Sequence, residues 1–163
     1  MPAVATLLDL VRHGEALPTS AGGDAERPLS PRGIGEIALL SRRLTRLGPP
    51  PAYVFTSPLL RARQTAALVL GGYPDGPEPV VSDALRPDAE PEDVVAWLNG
   101  EAPDASHLML VSHMPMLGDL AGWLTDGSSH GMRPGELVRL EFDYDIARRG
   151  GRVVLVLTPG ATE

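Results

Sequence analysis

The sequence predicts an α/β protein, a three-layer α/β/α sandwich built on a mostly parallel sheet with an antiparallel edge. Three observations carry that prediction. Short apolar runs alternate along the chain with stretches of helical periodicity. Three of the runs, at residues 7–14, 52–61 and 107–115, end in a polar tip that leads straight into a helix. The last two runs, 137–142 and 153–157, are separated only by a turn rich in Arg and Gly, so they pair antiparallel at one edge.

Residues 6–11 (TLLDLV) read as a buried strand that stops at Arg12-His13-Gly14. The small and polar residues 15–29 form an excursion over the surface. Ser30-Pro31 then supplies an N-cap and a proline in the first helical turn, and Gly48 supplies the stop. Between them Ile34, Ile37, Ala38, Ser41, Leu44 and Leu47 share one face, with Arg42, Arg43 and Arg46 on the solvated one. Residues 52–56 (AYVFT) form the second strand, and Leu59 to Leu70 the helix that follows Ser57-Pro58. Residues 79–82 make a short third strand. Pro91 with Glu92 and Asp93 opens another helix, acidic at its positive end, with Trp97 and Leu98 as buried anchors. His107 to Val111 is the next strand, broken by Ser112-His113-Met114-Pro115 before a helical pattern resumes over 115–124.

A length of 163 residues suits a single domain spanning 1–163, and 43% hydrophobic content is enough to give it a real core. Cysteine is absent, which excludes disulfides, thiolate metal sites and a cysteine nucleophile, and agrees with a reducing compartment. A net charge of −7 argues against non-specific attraction to nucleic acid or to an anionic membrane. The apolar run at 4–11 is too short for a membrane span or a signal peptide, so a cytoplasmic location is expected. Nothing in the sequence selects a monomer or a dimer.

His13 is the leading candidate for chemistry. An imidazole nitrogen can attack a phosphoryl group and hold it covalently, which divides one displacement into two. A histidine standing alone is more often structural, but this one sits at a strand end between Arg12 and Gly14. Gly14 permits a tight loop near a ligand. Arg12 and Arg61 each offer a guanidinium fork suited to phosphate oxygens, although Arg63 lies close to Arg61 and position alone does not separate them. His113, at the end of HLMLVS, reads either as a satisfied core histidine or as a further donor to a phosphate. The four histidines, His13, His107, His113 and His130, show no metal-binding spacing, so neither a metal nor a cofactor is expected.

These residues resemble the histidine phosphatase superfamily, the fold shared with cofactor-dependent phosphoglycerate mutases. The resemblance is carried in order by LVRHGEA at 10–16, RPLSPRG at 27–33, VFTSPLLRARQTA at 54–66 and LMLVSHMPMLGDLAGWL at 108–124. Within the superfamily the short chain, the brief segment at 71–106 and the SHMPMLG form most resemble SixA-like phosphohistidine phosphatases. The resemblance implies a phosphoglycerate mutase-like fold and His13 as phosphoryl acceptor. It further implies Arg12, Arg61 and His113 as phosphate-binding partners, Gly14 as a shaper of the first loop and Ser57 as a shaper of the adjoining strand end. A general acid after the third strand is the remaining requirement for ester substrates, with Asp88 the first choice and Glu90 the second. The expected activity is a metal-independent phosphatase with a phosphohistidine enzyme intermediate, acting on protein phosphohistidine. The alternatives are a phosphomonoesterase acting on a small phosphorylated metabolite and a non-catalytic phosphate-binding protein.

Overall fold

The structure is a computed structural model that describes residues 4–160. The expected domain at 1–163 extends beyond it by three residues at each end, and these lie outside the described residues. Among the described residues the sheet has six strands: β1 (Thr6–Arg12), β2 (Tyr53–Thr56), β3 (Val80–Val81), β4 (His107–Ser112), β5 (Leu137–Phe142) and β6 (Gly151–Leu157). Their order is β3-β2-β4-β1-β5-β6. The first four run parallel, β5 pairs antiparallel with β1, and β6 pairs antiparallel with β5. This is the α/β/α sandwich with an antiparallel edge that the sequence predicts.

Helices α1 (Pro31–Leu47), α2 (Leu60–Leu70), α3 (Pro91–Glu101) and α4 (Met116–Leu124) cover the two faces. Leu8, Leu10, Leu108 and Leu110 face α3 and α4, where they meet Val94, Leu98, Leu117 and Leu120. The intervening Val11, Met109 and Val111 face α1 and α2, against Ile37, Leu40, Leu44, Ala62 and Ala66. Burial on both faces explains why these strands read as continuous apolar runs rather than alternating ones. Trp97 is half-buried rather than sealed in; it packs edge-on against Phe55 at 5.0 Å, while Leu98 is fully enclosed.

The Ser30 hydroxyl caps α1 by accepting the Gly33 N–H at 3.0 Å. The helix is rotated from the expected face: Ile34 and Leu47 are 44% and 54% exposed, and Leu40 is buried in their place. The cause lies at the first turn. A Cβ on Gly33 would collide with the Glu15 carbonyl, so only glycine lets α1 approach the chain leaving β1 this closely. That contact puts Gly33 underneath, and Ile37, Leu40 and Leu44 follow on the same side. Of the expected solvated arginines, Arg43 turns back to donate to the Thr158 carbonyl at 3.0 Å.

Candidate active site

Parallel strands with a shared direction put their C-terminal ends on one edge of the sheet, where the crevice of an open α/β fold forms. β2, β4 and β1 are adjacent there, and the sheet ladder continues one residue past each pair. His13 N–H donates to the Ser112 carbonyl and Ser57 N–H to the Val111 carbonyl, both at 3.0 Å. His13 and Ser57 are therefore fixed by backbone pairing before any side chain acts, and His113 follows the last residue of β4. Arg61 enters from the first turn of α2. Arg12, His13, Arg61 and His113 line one cleft of about 520 Å³.

Gly14 holds the loop in place. Its N–H donates to the Thr65 hydroxyl at 3.0 Å, and that hydroxyl donates to the Arg61 carbonyl at 2.8 Å, which ties the loop to α2. A Cβ at Gly14 would press within 3.0 Å of Ile37.

His13 Nδ1 lies 2.7 Å from the Gly14 carbonyl. A carbonyl can only accept, so Nδ1 carries the proton and Nε2 keeps its lone pair. Burial is the main cause that lowers the His13 pKa to about 4, and the nearby charges of Arg61, Arg12 and Arg27 push the same way. The imidazole is consequently neutral at neutral pH. The two histidine rings stand 5.0 Å apart between centroids. Burial, then His13 and Arg61, lowers the His113 pKa to about 3. His113 Nε2 lies 2.7 Å from the Ser57 hydroxyl, which also accepts the Leu59 N–H at 3.2 Å.

Among the described residues three buried side-chain nitrogens have no hydrogen-bond partner: Arg12 Nε, Arg61 Nε and His113 Nδ1. All belong to the cleft. Buried polar groups are ordinarily satisfied, so three orphans in one place mark a site built for a ligand rich in acceptor oxygens. The remaining guanidinium contacts hold position. Arg12 donates to the Met132 carbonyl at 2.7 Å, and Arg61 donates to the Asp24 carbonyl at 2.9 Å. Burial lowers the pKa of both arginines. Arg63 is separated from Arg61 by direction: it is exposed and turns back to the Pro58 carbonyl.

Asp88 is not brought into this cleft. Pro87 takes the position that faces it, and the exposed Asp88 lines a neighbouring depression with Glu90 and Asp93. The Ser112 hydroxyl anchors that stretch by donating to the Leu85 carbonyl at 2.6 Å. The carboxylates that do line the cleft are Glu15 and Asp24, joined there by Arg27. All three lie in the 15–29 segment expected as a plain surface excursion. The signal for Arg27 was its place at the head of RPLSPRG. Among the described residues no group of three or more His, Asp or Glu side chains is arranged to hold a metal ion.

A neutral imidazole that shares a cleft with two guanidinium groups, each with an unpartnered Nε, at the C-terminal ends of parallel strands, is suited to an enzyme that handles phosphoryl groups. The chain belongs to the histidine phosphatase superfamily, whose branch 1 model matches residues 8–86. It is 40% identical over 121 residues to an uncharacterized protein of Picosynechococcus sp., an alignment covering 72% of each chain. Its structure is similar to that of the protein histidine phosphatase SixA complexed with tungstate, with a TM-score of 0.84 and 25% identity over 94% of this chain and 97% of that one. A Nakamurella multipartitia protein assigned as a phosphohistidine phosphatase SixA is similar at a TM-score of 0.83 and 25% identity, over 99% of this chain and 100% of that one. The fold is phosphoglycerate mutase-like and the protein is a phosphatase.

Proposed function

We propose that the chain is one domain over 1–163 that hydrolyses protein phosphohistidine, with His13 Nε2 as the covalent phosphoryl acceptor. The observation that carries the proposal is the Gly14 carbonyl on His13 Nδ1, which leaves Nε2 unprotonated beside three unpartnered donors. Nε2 attacks phosphorus as the bond from phosphorus to the substrate imidazole breaks, and the electron pair leaves with that imidazole, which carries its own proton. Water then attacks phosphorus, the bond to Nε2 breaks, and inorganic phosphate departs. Arg12 and Arg61 stabilise the equatorial oxygens, so the cationic charge in the transition state comes from guanidinium groups.

Ser57 has its Leu59 contact on one lone pair and a proton to give. Donating that proton to His113 Nε2 leaves an Nδ1–H on His113 as a further donor to the phosphoryl group. His113 is neutral in the empty cleft, and a bound phosphoryl dianion raises its pKa by opposite charge.

The position of Asp88 favours phosphohistidine over an alkyl ester. No carboxyl of the 83–93 stretch lines the cleft, and a protonated imidazole leaves without an acid. Asp88 as general acid would require that stretch to turn inward. A small phosphorylated metabolite is the second reading, favoured by the Glu15 carboxyl, which lines the cleft within reach of the Ser30 hydroxyl at 2.9 Å. Among the described residues no helix is long and apolar enough to cross a membrane; the absence of cysteine supports action in the cytoplasm.

Rapid quench with a labelled phosphohistidine protein tests the route. Acid-labile, alkali-stable label is expected on His13 in the wild type, and His13→Ala should lose about 10⁴-fold in kcat/KM. Full turnover without label on His13 overturns the covalent step. Stronger turnover of small esters than of phosphohistidine protein moves the assignment to the metabolite.

A further inference from the structure

The segment between β1 and α1 folds back over the mouth of the cleft instead of bulging into solvent. Ala16 bridges Leu29, and Arg27 donates to the Leu17 carbonyl at 3.0 Å. This brings Asp24 onto the outer edge of Arg61. One Arg61 Nη donates to the Asp24 carbonyl at 2.9 Å, and the other approaches its carboxylate at 3.4 Å. Arg27 Nε holds the other carboxylate oxygen at 2.9 Å. Arg61 Nε, on the inner edge, stays buried and unpartnered.

We propose that Asp24, held by Arg27, is a charge-selecting residue: its carboxylate disfavours substrates with a second negative group beside the phosphoryl group and favours neutral or cationic leaving groups. The inference rests on the cleft being the phosphoryl site proposed above. Because Asp24 engages only the outer edge of Arg61, a phosphoryl oxygen can take Nε without evicting it. The carboxylate therefore remains at the rim while substrate is bound. Its side chain is 69% exposed and lines the same cleft as His13 and Arg61, which sets it beside whatever the phosphoryl group is attached to. Arg27 would otherwise be the natural partner for a second anion, but its Nε is committed to Asp24 and one Nη to Leu17. An imidazole leaving group adds no negative charge at that point, whereas a carboxylate or second phosphate meets Asp24 directly.

Binding measurements separate this inference from the catalytic reading. The affinity of 3-phosphoglycerate is compared with that of inorganic phosphate in wild type, Asp24→Asn and Asp24→Glu. Asp24→Asn should shift the ratio toward phosphoglycerate by about threefold, the scale of an exposed charge pair. Asp24→Glu, which keeps the charge, should restore the wild-type ratio. A ratio unmoved in Asp24→Asn, or equal weakening of both anions, overturns the proposal. Turnover of phosphohistidine protein is followed in parallel. Absence of phosphohistidine turnover in the wild type with the ratio still moving between variants counts against the catalytic reading alone, and intact wild-type turnover with an unmoved ratio counts against charge selection alone.

Discussion

β1 carries two buried polar clusters, one at its middle and one at its end, roughly 13 Å apart along the strand. In the middle, Asp9 is fully buried and fully paired. Arg139 grips both its oxygens at 2.7 and 3.0 Å, and His107 Nε2 lies 2.8 Å from one of them. At the end, Arg12 and His13 join Arg61 and His113, where donors outnumber acceptors and three nitrogens have no partner. One cluster closes its own charge balance; the other leaves it open for a ligand. Burial of charge alone therefore does not single out the candidate site here, whereas unanswered burial does.

The largest expected effect breaks the closed cluster. Arg139→Ala removes the guanidinium from both Asp9 oxygens, leaves His107 alone against a buried carboxylate, and should cost about 3–5 kcal/mol of stability, read from urea unfolding. Catalysis per folded molecule should stay near wild type, because Arg139 does not line the cleft. A loss below about 1 kcal/mol would show that water or a shifted side chain answers Asp9 instead. The open cluster should respond the opposite way. Arg12→Ala removes a donor that has no counter-charge, so stability should change by less than about 1 kcal/mol while kcat/KM falls about 10²–10³-fold. If both variants lose stability alike, the contrast between the clusters fails.

The contrast also explains what the sequence could reveal. The strands and helices are legible because their signals are local: Ser30-Pro31 opens α1, Gly48 closes it, and Pro91 opens α3. The convergence of Arg12, His13 and His113 is legible too, since β1 and β4 end in the same pattern and lie side by side. Asp9 was hidden inside an apolar run, because its partners lie 98 and 130 residues away and depend on strand register. Arg27 and Asp24 were hidden for a related reason, since nothing local says that 15–29 folds back onto Arg61. The facing of Pro87 rather than Asp88, and the rotation of α1 about Gly33, are likewise set by tertiary contact.

The smallest expected effect is the response of the open cluster to acid. His13 and His113 have pKa values lowered to about 4 and about 3, against 6.5 for an ordinary histidine, with burial the main cause for each. Below about pH 6.5 the unfolded chain therefore binds protons that the folded cleft refuses, so stability falls as pH falls toward the folded values. Above that range both states are neutral at these positions and the contribution is complete and flat. Between about pH 7.5 and pH 5.5 the two histidines together should remove about 3 kcal/mol, followed by urea unfolding at each pH. The His13→Asn, His113→Asn double variant should lose most of that slope. Saturating tungstate should reduce it in the wild type, because an anion among the orphaned donors raises the histidine pKa values and lets the folded state take up protons as well. An unchanged slope in the double variant would trace the acid response to other groups and remove the ground for two neutral histidines in the empty cleft.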